Sequence, residues 1–76
     1  MSPKLPVISG EDLIRVLRKF GYEIARQKGS HVRLRNETEP GRLPVTVPLH
    51  KELARGTLKS ILADAGISAE ELLAAI

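Results

Sequence analysis

The segment from Arg26 to Arg35 combines residue types that could cleave a phosphodiester. It reads RQKGSHVRLR, with a histidine directly after a Gly-Ser pair and a cation at nearly every second position. RNA carries its own nucleophile, the 2′-hydroxyl, so cleavage needs a base for that proton, a proton for the leaving 5′-oxygen and positive charge beside the phosphorus. Histidine is the side chain most often used for such proton transfers, and fixed cations stabilise the developing negative charge. His31 is therefore the candidate acid/base; the alternative is an ordinary polar residue on an exposed strand.

Two further groups of residues are candidates for contact with phosphates. His50 and Lys51 lie in VPLHKEL, and a helical pattern begins soon afterwards at ARGTLK. The N-terminus of a helix favours an anion through its free N–H groups and its dipole. Together with the cations around His31, the expected RNA-binding residues are Lys28, Arg33, Arg35, His50, Lys51, Arg55, Thr57 and Lys59. The alternatives are a loop histidine, plain helix initiation and cations that only keep an exposed surface soluble.

An alternating pattern predicts the strands that position His31. In HVRLR, Val32 and Leu34 fall on one face and the histidine and arginines on the other, because strand side chains alternate. Tyr22 and Ile24 alternate in the preceding YEIARQ, and Gly29-Ser30 suits a hairpin turn, which is also the alternative explanation of that pair. LPVTVP predicts a third, edge strand with two buried valines. The uncovered sheet face is expected to show Glu23, Gln27, His31, Arg33, Arg35 and Thr46, with Lys28 at the hairpin tip.

Helical periodicity flanks these strands. A first helix is predicted to begin near Ser9 and to end at Gly21, and a second covers roughly residues 55–65 and ends at Gly66. A third begins at the capping box formed by Ser68 and Glu71 and runs to Ile76. The residues predicted to face the core are Leu13, Val16, Leu17, Phe20, Leu58, Ile61, Leu62, Ala65, Leu72, Leu73 and Ile76. The order α-β-β-β-α, with an extra C-terminal helix, predicts an α+β two-layer sandwich, the element order of the double-stranded-RNA-binding domain.

Composition narrows the classes of function. The length of 76 residues predicts one domain, residues 1–76. The chain has no cysteine, which excludes disulfides and thiolate zinc sites, and no His/Asp/Glu spacing suggests a metal or other cofactor. Two aromatic residues are too few for a module that stacks bases on aromatic side chains. No apolar run predicts a signal peptide or a membrane span, and we expect a cytoplasmic protein without membrane contacts.

Positive charge is concentrated in the middle of the chain. Residues 15–59 contain eleven Lys/Arg and four Asp/Glu, whereas the remainder has one Lys and five Asp/Glu. A basic centre with acidic ends indicates an anionic partner, with nucleic acid the leading candidate. Ordinary charge scatter on a solvated surface is the alternative.

Three motifs in order resemble the HicA (YcfA-like) family of bacterial and archaeal toxins. They are GYEIARQKGSHVRLR, VTVPLHKEL and GTLKSILADAGIS, and the likeness extends over about residues 4–76, with KLPVISG similar to one branch. The resemblance implies the toxin of a type II toxin–antitoxin system, a ribosome-independent mRNA endonuclease with a double-stranded-RNA-binding-like fold. It places Gly29, Ser30 and His31 at the family's catalytic Gly-Ser-His. It also implies a HicB-type antitoxin that covers the active face and often binds operator DNA.

One departure from the family pattern lies before the second helix. Many relatives carry Lys-Pro ahead of Gly-Thr-Leu, whereas this chain has Ala54-Arg55. Arginine keeps the charge but the rigid helix start is lost. The sequence therefore predicts a metal-independent endoribonuclease of mRNA that uses His31. The alternatives are a non-catalytic double-stranded-RNA-binding-like module and a scaffold for protein partners.

Overall fold

The computed structural model describes residues 4–76, so residues 1–3 of the expected extended N-terminal segment lie outside the described part. The elements are α1 (Gly10–Lys19), β1 (Tyr22–Lys28), β2 (His31–Asn36), β3 (Val45–Pro48), α2 (Arg55–Ala65) and α3 (Ala69–Ala75). The predicted α+β class and element order are confirmed. No helix between residues 4 and 76 is long and apolar enough to span a bilayer.

The sheet is antiparallel, with β2 in the centre and the order β1-β2-β3. The alternation predicted for β2 and β3 is confirmed, because Val32, Leu34, Val45 and Val47 are buried while the residues between them are exposed. These buried side chains pack with those of the helices in one core. The opposite sheet face carries the exposed side chains, and we call it the open face.

Close packing holds the start of α1 against the segment that follows β3. The Ser9 hydroxyl caps α1 by accepting a bond from the Asp12 N–H at 3.1 Å. The next residue, Gly10, donates its N–H to the carbonyl oxygen of His50 at 2.9 Å. A Cβ at Gly10 would overlap the carbonyl oxygen of Pro48. Only glycine lets the two backbones approach this closely.

The two C-terminal helices follow most of the predicted pattern. The four core positions expected on α2 are buried, and Gly66 ends that helix with φ of 68°. The capping box of Ser68 and Glu71 is present at α3. The prediction that Leu73 and Ile76 face the core is wrong, because a helix of seven residues that packs on one side buries only Leu72.

An irregularity in β1 changes which of its side chains lie on the open face. The register of β1 against β2 shifts between Ile24 and Arg26, as at a β-bulge. Beyond the shift, the cross-strand partners are Arg26 with Arg33, Gln27 with Val32 and Lys28 with His31. Directly opposed residues share a face of the sheet, so Arg26 and Lys28 join the open face.

The expectation that Gln27 lies on the open face is therefore wrong. Gln27 shares the helix side of the sheet with Val32, where both line a groove with Ile14 and Leu49. A single extra residue moves every following side chain to the other face, and strict alternation along YEIARQ could not anticipate it. The correction makes the open face more basic than the sequence predicted.

Candidate nucleic-acid interface

His31 is the first residue of the central strand and lies exposed on the open face. Its cross-strand partners are Lys28 on β1 and Pro48 on β3. The preceding turn has positive φ only at Gly29, 58°, which is the pattern of a type II′ hairpin turn. The predicted turn at Gly29-Ser30 thus delivers the imidazole to the end of the open face.

The turn before His31 is held from both sides. The carbonyl oxygen of Ser30 accepts a hydrogen bond from the Leu49 N–H at 2.7 Å. On the other side, the side-chain amide of Gln27 donates to the carbonyl oxygen of Gly29 at 3.1 Å. These bonds fix the backbone on which the imidazole is mounted. The structure therefore assigns Gly29 and Ser30 positions that support His31 from the backbone.

Four cations share the open face with His31: Lys28, Arg33 and Arg35 from the sequence prediction, and Arg26, which that prediction missed. All are exposed. The guanidinium of Arg33 donates to the Thr46 hydroxyl at 3.0 Å and so reaches across β3. Glu23, opposite Arg35, is the acidic residue of this face, and its carboxylate lies 3.8 Å from Arg18. Charged side chains that stay hydrated and accessible suit contact with the phosphates of a flexible nucleic acid.

His50 and Lys51 lie in the segment between β3 and α2, and both are exposed. The backbone of this segment meets the hairpin turn through Leu49 and the start of α1 through the His50 carbonyl. No hydrogen bond joins the two histidine side chains in the described part of the chain. The segment is thus anchored beside the turn that carries His31, and the two histidines remain separate candidates.

The predicted residues of α2 are divided between two sides of the helix. Thr57 lines a cleft with Arg33 and Thr46, at the β3 edge of the open face. Arg55 and Lys59 line a different groove, with Leu5 and Leu62. Ala54, the N-cap residue, offers no side-chain bond to the free N–H groups of the first turn. The structure brings Thr57 to the β3 edge, beside the open face, and leaves Arg55 and Lys59 on the far side of α2.

Sequence reasoning also missed Ser60 and Asp64, which line the cleft beside Thr57. The spacing of these three residues was a usable signal, because positions three and four apart share one face of a helix. Arg26 offered no comparable signal, since only the shift in register moves it to the open face. The cleft has a volume of about 490 Å³.

A buried tyrosine fixes the loop that forms one wall of this cleft. The Tyr22 hydroxyl donates to the carbonyl oxygen of Leu43 at 2.7 Å, next to the cleft residue Pro44. Burial raises the pKa of Tyr22, and the nearby Arg42 guanidinium partly offsets this effect. The neutral hydroxyl therefore serves as a structural donor at physiological pH.

No group of three or more His, Asp or Glu side chains with the placement of metal ligands occurs among residues 4–76.

Comparison with known proteins gives one positive result. A family model described as HicA toxin of bacterial toxin-antitoxin matches residues 10–67. The matched range runs from the start of α1 to just beyond α2, so it contains the whole sheet, His31 and the cleft. A search of curated proteins finds no match to the chain.

Proposed function

The chain belongs to the HicA toxin family, and on that premise we propose that it is an endoribonuclease that cleaves mRNA without a metal ion, with His31 as general acid/base. Family membership makes it the toxin of a toxin–antitoxin system, which implies an antitoxin as partner. The observation that carries the proposal is the position of His31 at the start of the central strand, on an open face where every strand-paired cation is exposed. We further propose that residues 1–76 act as one domain in the cytoplasm.

The dimensions of the sheet suit a phosphodiester beside His31. Neighbouring strands lie about 4.8 Å apart and every second residue of a strand about 7 Å apart. Lys28, directly opposite, and Arg33, two residues along β2, are therefore the cations next to the imidazole. The side chains of Lys28 and Arg33 are long enough to reach a phosphate bound beside the imidazole. A phosphate at this point meets positive charge from two strands and lies beside the imidazole proposed as acid and base.

The proposed reaction uses the 2′-hydroxyl of the RNA. The neutral imidazole of His31 accepts the 2′-hydroxyl proton while the 2′-oxygen attacks phosphorus. The bond from phosphorus to the 5′-oxygen breaks, and the imidazolium of His31 donates its proton to that leaving oxygen. Lys28 and Arg33 stabilise the charge on the phosphoryl oxygens. The products are a 2′,3′-cyclic phosphate and a 5′-hydroxyl.

Cleavage in the presence of a chelator tests this proposal. Purified wild-type protein and His31→Ala are incubated with a single-stranded RNA in excess EDTA, and full-length RNA is followed over time. We expect wild type to cut and the variant to lose at least about a hundredfold in rate, the lower range for removal of an acid/base group. His31 is exposed, so the variant should unfold at the wild-type temperature. Intact RNA with wild type, or equal cutting by the variant, would refute the proposal.

A non-catalytic module that grips structured RNA is the second candidate, and the basic, exposed open face favours it because that surface needs no chemistry to bind phosphates. Such a module would retain RNA in a gel shift, with affinity that falls steeply with salt. It would bind equally well with His31→Ala and yield no products. Comparison of wild type with His31→Ala in the cleavage and gel-shift assays therefore distinguishes an endoribonuclease from a non-catalytic RNA-binding module.

We propose a HicB-type antitoxin as the partner and the open face as the surface it covers. Expression of the toxin alone should arrest growth, and His31→Ala or co-expression of the antitoxin should relieve the arrest. A small open reading frame beside the toxin gene is the candidate source of this antitoxin. If its product binds the toxin but leaves RNA cleavage unchanged, the covered surface is a different one.

A further inference from the structure

The cleft between β3 and α2 has a chemistry unlike that of the open face it adjoins. Its walls carry hydroxyl groups, one guanidinium and one carboxylate, and its volume is about 490 Å³. The polar residues that matter here are Arg33, Thr46, Thr57, Ser60 and Asp64. A cleft with this mixture of hydrogen-bond donors and acceptors suits a planar group with several hydrogen-bonding atoms.

Arg33 connects the cleft to the proposed cleavage site. It lies two residues from His31 on β2, a spacing of about 7 Å. Its guanidinium contacts the Thr46 hydroxyl at 3.0 Å and lines the cleft. An RNA strand that runs along β2 from a phosphate at His31 would pass Arg33 and the mouth of the cleft.

Asp64 is the feature that points to a nucleobase rather than to a phosphate. Its carboxylate is exposed in the cleft, and no salt bridge to it is found among residues 4–76. A negative charge here opposes any phosphate, although the surrounding sheet face is strongly basic. An ionised carboxylate has two acceptor oxygens and no donor, so its natural partners are the N–H groups on the edge of a base.

We propose that this cleft is a base-recognition subsite for guanine next to the scissile bond, with Asp64 as the residue that reads the base. The inference rests on the endoribonuclease function proposed above. Guanine presents two adjacent donors, N1–H and the N2 amino group, which match the two oxygens of one carboxylate. Adenine and cytosine place an acceptor beside their amino group, and uracil flanks its N–H with acceptors. Thr57 and Ser60 supply hydroxyls that adapt to the remaining atoms.

The backbone around the cleft is fixed before any ligand arrives. Thr57, Ser60 and Asp64 share one face of α2 by their spacing. The carbonyl oxygen of Asp64 accepts the Leu43 N–H at 2.9 Å, and Tyr22 holds the carbonyl of the same Leu43. Pro44 follows as part of the opposite wall. The carboxylate thus projects from a helix that is tied to the loop it faces, which suits selective recognition.

Binding to a protein that does not cut RNA tests the subsite directly. His31→Ala is titrated with short single-stranded oligouridylates that contain one guanosine, one inosine or no purine, and amide shifts of Thr57 and Ser60 are followed by NMR. We expect the guanosine oligomer to bind about tenfold more tightly than the all-uridine oligomer, in the range for one bidentate contact. Inosine, which lacks the amino group, should fall between them. Equal affinity for the three oligomers would overturn the inference.

The variant Asp64→Asn gives a test of opposite sign. If Asp64 acted only through its charge, its removal would tighten the binding of every oligomer, since RNA is a polyanion. The inference predicts weaker binding of the guanosine oligomer and loss of its advantage over uridine. Glu70→Gln, which removes one exposed acidic charge on α3, is the matched control and should preserve the advantage. Uniformly tighter binding by Asp64→Asn would overturn the inference.

Cleavage mapping separates this inference from the proposed function. If wild type cuts in EDTA next to guanosine and Asp64→Asn loses that preference, both the endoribonuclease function and the guanine subsite are supported. If wild type cuts without base preference, the subsite is overturned and the endoribonuclease is not. If wild type leaves RNA intact while the guanosine advantage persists in binding, the proposed function is overturned and the cleft remains a guanine site.

Discussion

At the scale of single residues, the open face works through exposed charge rather than through buried pairs. Its arginines and lysine keep their hydration, and salt bridges between such exposed groups contribute little to stability. The role we propose for them is in RNA binding, where each phosphate that a protein cation neutralises releases condensed counterions. The same residues can be replaced without harm to the core, which makes their functional effect measurable.

Replacement of Arg35 tests the electrostatic role of the open face. In a His31→Ala background, Arg35→Ala should weaken single-stranded RNA binding and lower the slope of log affinity against log salt by about 0.7, the contribution of one phosphate. Arg15→Ala is the control, because Arg15 lies on α1 and pairs with Asp12 at 3.0 Å. Fluorescence anisotropy over a salt series gives both slopes. Equal slopes for the two variants would place the RNA elsewhere.

Residue-level reasoning from the sequence was accurate wherever alternation was undisturbed. His31, Arg33 and Arg35 lie on one face as predicted, since β2 contains no irregularity. Gln27 and Arg26 lie on the sheet faces opposite to those that strict alternation predicts. The bulge adds one residue to β1, and YEIARQK contains no pattern that signals it. Which polar residues meet across the cleft also depended on how α2 packs on β3, which local patterns do not specify.

At the scale of secondary-structure elements, turns and caps determine how firmly His31 and α3 are held. The hairpin turn depends on a positive φ at Gly29, where an added side chain would meet no atom within 4 Å. The cost of a substitution there is therefore conformational. At α3, the stability of a seven-residue helix depends on its capping box and on one buried leucine.

Gly29→Ala should destabilise the protein by about 1 kcal/mol, because alanine disfavours the left-handed region. Gly29→Asn should cost clearly less, since asparagine tolerates that conformation. Gly56→Ala is the control: its site in α2 is equally open but helical, so alanine should stabilise the protein by up to about 1 kcal/mol. Urea unfolding measures all three. Equal losses for alanine and asparagine at Gly29 would show that the turn geometry is not the cause.

The capping box of α3 should make stability depend on pH. Hydrogen bonds from the Ser68 backbone N–H and hydroxyl hold the pKa of Glu71 below its ordinary value of 4.5. A lowered folded-state pKa stabilises the fold above the unfolded-state pKa, and this contribution is lost as the pH falls. Glu71→Gln should therefore lower the melting temperature at pH 7, and the difference from wild type should shrink below about pH 4.5.

Glu70→Gln is the matched control for this experiment, because Glu70 lies in the same first turn outside the capping box. Thermal melts of the three proteins from pH 3 to pH 7 give the comparison. The same pH dependence for both variants would mean that the general charge of the first turn, rather than the Ser68 bonds, is responsible.

Elements and their caps were largely predictable from the sequence, because Ser9, Gly21, Gly66 and Ser68 signal helix boundaries through local chemistry. The exposure of Leu73 and Ile76 was not predictable, because an apolar spacing does not reveal how much neighbouring surface is available. Among the other helices and strands, α3 packs mainly against α1. Leu72 is therefore the one residue of α3 that is buried.

At the scale of the whole molecule, one close approach connects the helical layer to the site. Gly10 at the start of α1 packs directly on the backbone of Pro48, the strand partner of His31, and bonds the carbonyl of His50. The sequence predicted a helix cap here but not this contact, which joins segments forty residues apart. Such long-range approaches are visible only once the layers are assembled.

Gly10→Ala should destabilise the fold by about 1–3 kcal/mol, because the new methyl group overlaps the Pro48 carbonyl and the segment must shift. Gly41→Ala, in an open loop position, should stay within about 0.5 kcal/mol of wild type. Chemical unfolding compares the two. We also expect the amide resonances of Ser30 and His31 to shift in Gly10→Ala, and unchanged resonances there would argue against the connection.

The most direct test of the proposed chemistry is the identity of the ends that wild type leaves on a cleaved RNA. The reaction is run in excess EDTA, and the products are identified by mass spectrometry, with a matched RNA that carries a single 2′-deoxynucleotide 5′ of the cut. Attack by the 2′-oxygen, with His31 as its base, predicts a 2′,3′-cyclic phosphate, a 5′-hydroxyl and no cut at the deoxynucleotide. A 5′-phosphate with a 3′-hydroxyl, or cleavage at the deoxynucleotide, would contradict it.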